Sequence, residues 1–243
     1  MTARRGTAAG RWARILVPAE MTGRELVRRR LALGLLTALP LAFYGALSGH
    51  SDRAEVTGGI AMAFSIAGAS IFCALTARPV DQRLELAGYR PHELLLGRLL
   101  LLELFGLVVA GLFSVVMALG SGSAHAGALA AGLVLVAVTS VPFGLAVGAL
   151  VPNELEGVLI LIGVVGVQLT LDSTQIVAKL LPFWGSQRLL DYASGDVGSI
   201  GPAVVVDLGY ALALLAAGAY AGRRRAPRGR MVSRRRPVTT GRD

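Results

Sequence analysis

The central fifty residues of the chain, 104–153, carry no formally charged side chain. Apolar runs of about 18 residues or more are typical of helices that cross a bilayer. Fifty residues are too many for one crossing, and the small polar stretch 120–127 divides them into two. The stretch therefore predicts two membrane-spanning helices joined by a short connection.

The rest of the chain has the same apolar character. Hydrophobic residues make up 54% of the 243 residues and charged residues only 16%, whereas soluble domains carry about 25% charged residues. Apolar runs and polar breaks predict six spans in an all-α membrane protein: 31–47, 56–77, 93–119, 128–151, 155–170 and 202–221. These spans form one transmembrane domain over residues 31–222. A basic tail with an interfacial helix (1–30) precedes this domain, and an Arg-rich cytoplasmic tail (223–243) follows it.

Basic residues are divided unequally between the two ends of these spans. Of the 24 basic residues, 21 lie in the N-terminal segment, the loop after the second span and the C-terminal tail. The opposite side receives Arg53, Lys179 and Arg188. Because Lys and Arg are enriched on the cytoplasmic side, both termini and this loop are expected in the cytoplasm. Membrane topology then explains the net charge of +9 better than nucleic-acid binding does.

The N-terminal segment predicts a helix that lies in the membrane interface. One helical face combines apolar residues with neighbouring arginines, as such helices do; its apolar residues are Trp12, Ile15 and Leu16. Pro18 is expected to interrupt this helix. Thr22 and Glu25 match a capping box, which predicts that the next helix begins there and runs into the first span.

The charged loop at residues 81–98 carries helix start and stop signals. Asp81 is expected to cap a short helix, Gly88 to end it, and Pro91 to begin the next helix. A solvated connection would also be charged. The ordered signals favour a short cytoplasmic helix that receives force from a partner protein.

Signatures of catalysis are missing from the sequence. No phosphate-binding G-x-x-x-x-G-K-[ST] loop occurs, and Lys179 is the only lysine. The three histidines, His50, His92 and His125, fall in different connections, which is a poor basis for a metal or base cluster. The single cysteine, Cys73, cannot form an intrachain disulfide. We therefore assign no catalytic, cofactor-binding or metal-ligating residue, and an intramembrane enzyme is a weak alternative.

Two acidic residues, Glu103 and Asp207, fall within apolar runs. Ionisable groups inside a bilayer are costly and are often functional. They could line a substrate pathway, or they could be structural groups that are shallowly placed or hydrogen-bonded. Their positions near opposite ends of the spans argue against one shared site.

Glycines recur at close spacing at three places, at Gly45 and Gly49, at Gly144 and Gly148, and at Gly163 and Gly166. Small residues let helices approach closely within a membrane. These pairs therefore predict helix packing, with a substrate path as the alternative.

The segment between the fifth and sixth spans, residues 172–201, alternates apolar and polar patches. Pro182 lies near the centre of its apolar part, and Trp184 and Tyr192 suit the interfacial level. This pattern predicts two short helices that dip into the outer leaflet and return. An ordinary extracellular loop that contacts lipid headgroups is the alternative.

Residues 78–100 resemble the corresponding region of permeases of the ABC type-2 exporter family. Residues 83–86 (RLEL) stand where the family has an Arg/Glu-rich loop helix, and Pro91 stands at its proline. Residues 93–98 (ELLLGR) stand at its leucine-rich entry to the third span. The resemblance in topology covers nearly the whole chain and includes a Leu-Pro at 181–182 near outer re-entrant helices. The family's Glu-x-Gly-Thr in the loop helix is absent.

The resemblance implies a transport mechanism. Two permease subunits, identical or related, would form the pathway, and separate ATPase subunits would bind ATP and Mg²⁺ beneath them. This chain would bind no cofactor itself. The short helix at residues 82–87 would couple ATPase closure to the third span. The coupling residues would be Arg83, Leu84, Glu85, Leu86, Tyr89 and Arg90.

The expected protein is thus a multi-pass permease subunit of an exporter in a prokaryotic plasma membrane, with both termini cytoplasmic. Its partners would be the ABC-type ATPase, a second permease subunit and the lipid bilayer, with no nucleic acid. The alternative is a membrane scaffold or assembly factor that recruits cytoplasmic partners and transports nothing.

Overall fold

The computed structural model describes residues 16–24, 30–49, 53–121, 125–195 and 200–225, and these ranges contain helices and no strand. The elements are α1 (16–24), α2 (Arg30–Leu47), α3 (Ala54–Thr76), α4 (Arg78–Leu86), α5 (Pro91–Ser121), α6 (Ala126–Leu150), α7 (Glu154–Thr170), a 3-10 helix (Ile176–Leu180), α8 (Trp184–Ala193) and α9 (Gly201–Arg225). The all-α architecture is confirmed for the described part of the chain.

Four of these helices are long and apolar enough to cross a membrane: α3, α5, α6 and α9. A crossing helix needs about 20 residues, with a range of about 17–25. α2 and α7 have 18 and 17 residues and stand at the lower limit. The four long helices give the chain the character of a helical membrane protein. The expected six spans would require α2 and α7 to cross as well.

α3 and α6 form the centre of the helix bundle. Over an apolar stretch of 18 residues in each helix, 78% is buried in α3 and in α6, against 28% in α5 and 22% in α9. The exposed faces of α5 and α9 are nevertheless apolar, with Leu119 84% exposed and Val205 and Leu212 each 69% exposed. Apolar surface in water costs about 25 cal/mol per Å². These two faces therefore favour a lipid environment.

Two glycines of α6 allow it to approach α3 closely. A Cβ atom on Gly144 would lie 2.4 Å from the carbonyl oxygen of Ala67, and one on Gly148 would lie 2.7 Å from the Cβ of Ala74. The packing predicted for this pair is confirmed. A Cβ on any member of the other two pairs has no described atom within 4 Å, so those pairs join no helices within the described chain: Gly45, Gly49, Gly163 and Gly166.

The start of the described chain differs from the expectation. Pro18 lies inside α1 and does not interrupt it. Thr22 was expected to cap the next helix, but its hydroxyl donates to the Pro18 carbonyl at 2.9 Å, one turn back within α1. The capping prediction for Thr22 is therefore wrong. The other residues of that segment lie outside the described ranges: Trp12, Ile15 and Glu25.

α1 packs against α5. A Cβ on Gly23 would be 3.5 Å from the side chain of Leu101, and Thr22 on the same side is buried. The exposed part of α1 combines apolar and charged side chains: Leu16, Val17 and Met21, beside an ion pair of Glu20 and Arg24 at 2.6 Å. A surface of this mixed kind suits a helix at a membrane interface.

We predict that Gly144→Leu destabilises the protein, because the new side chain has no space against the α3 backbone. Overpacking of this kind costs about 1–3 kcal/mol. The measurement is the free energy of unfolding in mixed detergent micelles. Gly111→Leu is the matched control, since Gly111 is exposed at mid-α5 with no described atom within 4 Å. Equal stability of the two variants would contradict the close α3–α6 contact.

Candidate functional site

α4 follows α3 almost directly, and it begins one turn earlier than expected. The helix starts at Arg78, with Ala77 in the cap position and Pro79 in the first turn. Proline is favoured there because its fixed φ suits a helix start and the missing N–H is not needed. The prediction that Asp81 caps this helix is therefore wrong. Asp81 lies within the first turn, and its carboxylate has another partner.

α4 ends where the sequence predicts. Gly88 has φ of +93°, and its N–H donates to Glu85 O at 3.0 Å. The N–H of Tyr89 donates to Leu84 O at 3.0 Å. This pair of bonds is the Schellman motif, whose left-handed residue is usually glycine. The prediction that Gly88 stops the helix is confirmed.

α5 begins at Pro91, also as predicted. The carboxylate of Glu93 accepts a hydrogen bond from the backbone N–H of Arg90 at 2.9 Å. Such a bond satisfies one of the donors that a helix start leaves without an intrahelical partner. The turn between α4 and α5 is therefore a defined structure.

A partly buried ion pair joins α4 to α5. Nη2 of Arg98 lies 2.8 and 3.0 Å from the two carboxylate oxygens of Asp81. Arg98 is only 7% exposed. Charge-assisted bonds of this kind are shorter and stronger than neutral ones, so α4 is held firmly against the first turns of α5.

A second polar contact joins α4 to the end of α6. The guanidinium of Arg78 donates to the carbonyls of Gly148, Val151 and Pro152, the last at 3.1 Å. The last carbonyls of a helix lack intrahelical donors and carry partial negative charge, so a cation stabilises them. Together, Arg78 and the Asp81–Arg98 pair fasten α4 to two of the long apolar helices.

The side of α4 that faces away from the bundle is open, and no residue of this helix is fully buried. Leu86 is 90% exposed. We name this surface the α4 outer face, formed by Pro79, Val80, Arg83, Leu86 and Ala87. It combines exposed apolar side chains with one guanidinium, which suits a protein contact.

The predicted coupling residues differ in their exposure to solvent. Arg83, Leu86 and Arg90 are exposed, whereas Leu84, Glu85 and Tyr89 are half-buried. Sequence reasoning missed Pro79 and Val80. The helical spacing of four and seven residues from Pro79 to Arg83 and Leu86 could have revealed that they share a face.

A cavity of about 220 Å³ lies on the inner side of α4, among the ends of α3, α5, α6 and α9. Its apolar wall includes Leu94, Leu145 and small residues of α9. Six polar side chains also line it: Arg78, Asp81, Gln82, Glu85, His92 and Arg98. The two polar contacts that hold α4 thus border this cavity.

The two intramembrane acids lie in different settings. Asp207 is fully buried, and its carboxylate accepts bonds from the N–H groups of Gly185 and Ser186 at 2.7 Å each and from the Ser186 hydroxyl at 2.6 Å. It caps the start of α8 from a neighbouring helix, where the helix dipole favours negative charge. Asp207 therefore has a structural role.

Glu103 lies within the long apolar helix α5. It follows Pro91 by twelve residues, about 18 Å along α5. Its Oε2 atom is buried and has no hydrogen-bond partner among the described residues. Glu103 lies on α5 and Asp207 on α9, and neither lines the cavity on the inner side of α4.

The segment before α9 contains the two short helices that the sequence predicts around Pro182: the 3-10 helix and α8. Phe183 between them is fully buried, and its ring lies 5.8 Å from that of Phe143, seventeen residues into α6. The indole N–H of Trp184 donates to Ser173 O at 2.8 Å. The segment therefore packs against α6, and the indole N–H of Trp184 is bonded within the segment.

The described histidines lie apart. His92 is in the first turn of α5 and lines the cavity, while His125 precedes α6 with its ring 4.8 Å from that of Tyr192. His50 lies outside the described residues. Within the described ranges, no group of three or more His, Cys, Asp or Glu could hold a metal ion.

No protein-family model matches the chain, and no curated protein matches its sequence.

We predict that Asp207→Asn lowers the free energy of unfolding by about 2 kcal/mol, because bonds to a charged group contribute about 1.5–3 kcal/mol. The amide also turns a donor toward the α8 N–H groups. Glu103→Gln is the comparison, since it neutralises the other intramembrane acid and breaks no described bond. Its stability should be unchanged or higher, as measured in mixed micelles. A greater loss in Glu103→Gln would contradict these assignments.

For the ion pair, we predict that Arg98→Gln destabilises the protein more than the double variant Asp81→Asn/Arg98→Gln. Removing one partner leaves the other without compensation, while removing both avoids that cost. A double-mutant cycle on the free energy of unfolding measures the coupling. Additive single effects would show that the pair contributes nothing.

Proposed function

We propose that the chain is the permease subunit of an ATP-driven ABC exporter and that α4 is its contact with a separate ATPase subunit. The observation that carries this proposal is the placement of α4. It is an exposed helix whose inner side is fastened by charged contacts to α5 and α6. A force on its outer face would therefore reach two long helices at once.

The charge distribution supports a cytoplasmic position for α4. In the proposed topology α2 and α7 complete six spans, both termini are cytoplasmic, and the 21 basic residues on that side follow the positive-inside rule. α4 then faces the compartment where ATP is present. The membrane would be the plasma membrane of a prokaryote.

The energy would come from the partner. The sequence has no phosphate-binding loop, so ATP and Mg²⁺ would bind to the ATPase subunit. Two permease chains would form the pathway, and the ATPase would shift them between conformations by binding one state more tightly than the other.

The exposed surfaces refine the proposed contact residues. Arg83 and Leu86 on the α4 outer face are the best placed, with Arg90 beside them. Glu85 lines the cavity and is half-buried, so it serves the contact less directly. Buried apolar anchors and Arg are the residues that dominate binding energy at protein interfaces.

The test is purification of the tagged full chain from its native membrane in mild detergent, with partners identified by mass spectrometry. We predict recovery of a P-loop ATPase and its loss in Arg83→Glu/Leu86→Glu. Truncating an interface hot spot costs about 2 kcal/mol or more, so recovery should fall at least about tenfold.

Leu155→Glu is the control, because Leu155 is 70% exposed at the start of α7, on the same proposed side but outside α4. It should retain the ATPase. Equal recovery with the α4 variant would reject α4 as the contact. Reproducible absence of any ATPase from the intact, abundant chain would reject the exporter and favour the scaffold.

A further inference from the structure

The cavity behind α4 contains a buried cation whose bonding is incomplete. Arg98 lines this space and is 7% exposed. A guanidinium has five N–H donors and no acceptor. Among the described residues its bonds go to Asp81, both from Nη2, and its buried Nε has no acceptor. Buried donors of this kind usually have a partner, because leaving one without an acceptor costs free energy.

We propose that this cavity binds an oxyanion, in particular a phosphate group, through Arg98. Arginine is well suited to phosphate because its planar fork can offer two parallel N–H donors to two oxygens. The inference concerns the chain itself and does not depend on the transport proposal.

The size and walls of the cavity agree with such an occupant. The volume of about 220 Å³ is enough for a phosphate group with a short organic part. Leu94 and Leu145 supply an apolar side, and Gly218 and Gly222 of α9 carry no side chain that would fill it. The shared chemistry is therefore a phosphate with an apolar neighbour, from a lipid headgroup or a soluble phosphate.

The acidic residues of the cavity determine how the phosphate would bind. Asp81 and Glu85 also line the space and repel an anion. Nε is covered by protein atoms, so the guanidinium must turn to present it. Asp81 and the phosphate therefore compete for one donor group. Occupancy would loosen the bond between α4 and α5, so the site would report its ligand to the α4 outer face.

The first measurement is thermal unfolding of the delipidated full chain in neutral detergent against increasing inorganic phosphate, with chloride at matched ionic strength. A ligand that binds the native state raises the melting temperature with its concentration. The second arm replaces phosphate with phosphatidylglycerol in the micelles. Stabilisation by inorganic phosphate indicates a site for soluble phosphate, and stabilisation by the lipid alone indicates a headgroup site.

Substitutions of Arg98 and Asp81 should change the stabilisation by phosphate in opposite directions. Arg98→Gln should weaken the response at least about tenfold, since a bond to a charged group is lost. Asp81→Asn should strengthen it, because the competitor for Arg98 loses its charge. Arg83→Gln is the matched control: it removes the same charge from the exposed side of α4 and should respond as the parent does.

Two outcomes would overturn the proposal. The first is no stabilisation of the parent and of Asp81→Asn by either probe. The second is a response that Arg98→Gln or Arg98→Lys retains in full, or that Arg83→Gln loses equally, because general attraction of anions to a basic protein would then explain it. If Arg98→Gln does not fold, the stronger response expected of Asp81→Asn and the parent-like response expected of Arg83→Gln still decide the question.

Discussion

The close contact of α3 and α6 is the constraint on which the rest of the bundle depends. Gly144 and Gly148 place the α6 backbone directly against α3, and the other helices pack around this pair. Inside a membrane the hydrophobic effect does not drive helices together, so dispersion contacts at small residues take its place. This is why the central helices are rich in small side chains, while large apolar residues cover the outer faces of α5 and α9.

Around this apolar centre, charged groups are placed where they complete a bond that the backbone or another side chain needs. Asp207 closes the start of α8, Arg78 closes the end of α6, and Arg98 pairs with Asp81 across the turn between α4 and α5. A polar group without a partner is expensive in a low-dielectric interior. The buried Nε of Arg98 and Oε2 of Glu103 both lack a partner among the described residues, and the Arg98 side chain lies beside α4.

α4 links these features to function. Its inner side borders the cavity and holds the two charged contacts, while its outer side offers Arg83 and Leu86. The proposed ATPase contact and the proposed phosphate site therefore lie on opposite sides of the same short helix. The ABC exporter proposal depends on the outer side, and the cavity proposal depends on the inner side.

The sequence alone determined the all-helical class, the helix limits near Gly88 and Pro91, and the paired short helices around Pro182, because these follow from local turn chemistry and apolar run length. It did not determine which residues contact each other across the fold. The start of α4 was misplaced because the role of Asp81 depends on Arg98, seventeen residues away, and the fit of Gly144 depends on the backbone of α3. Only the tertiary structure revealed the structural role of Asp207 and the cavity behind α4. Both arise where helices distant in sequence meet, and local residue spacing does not predict such contacts.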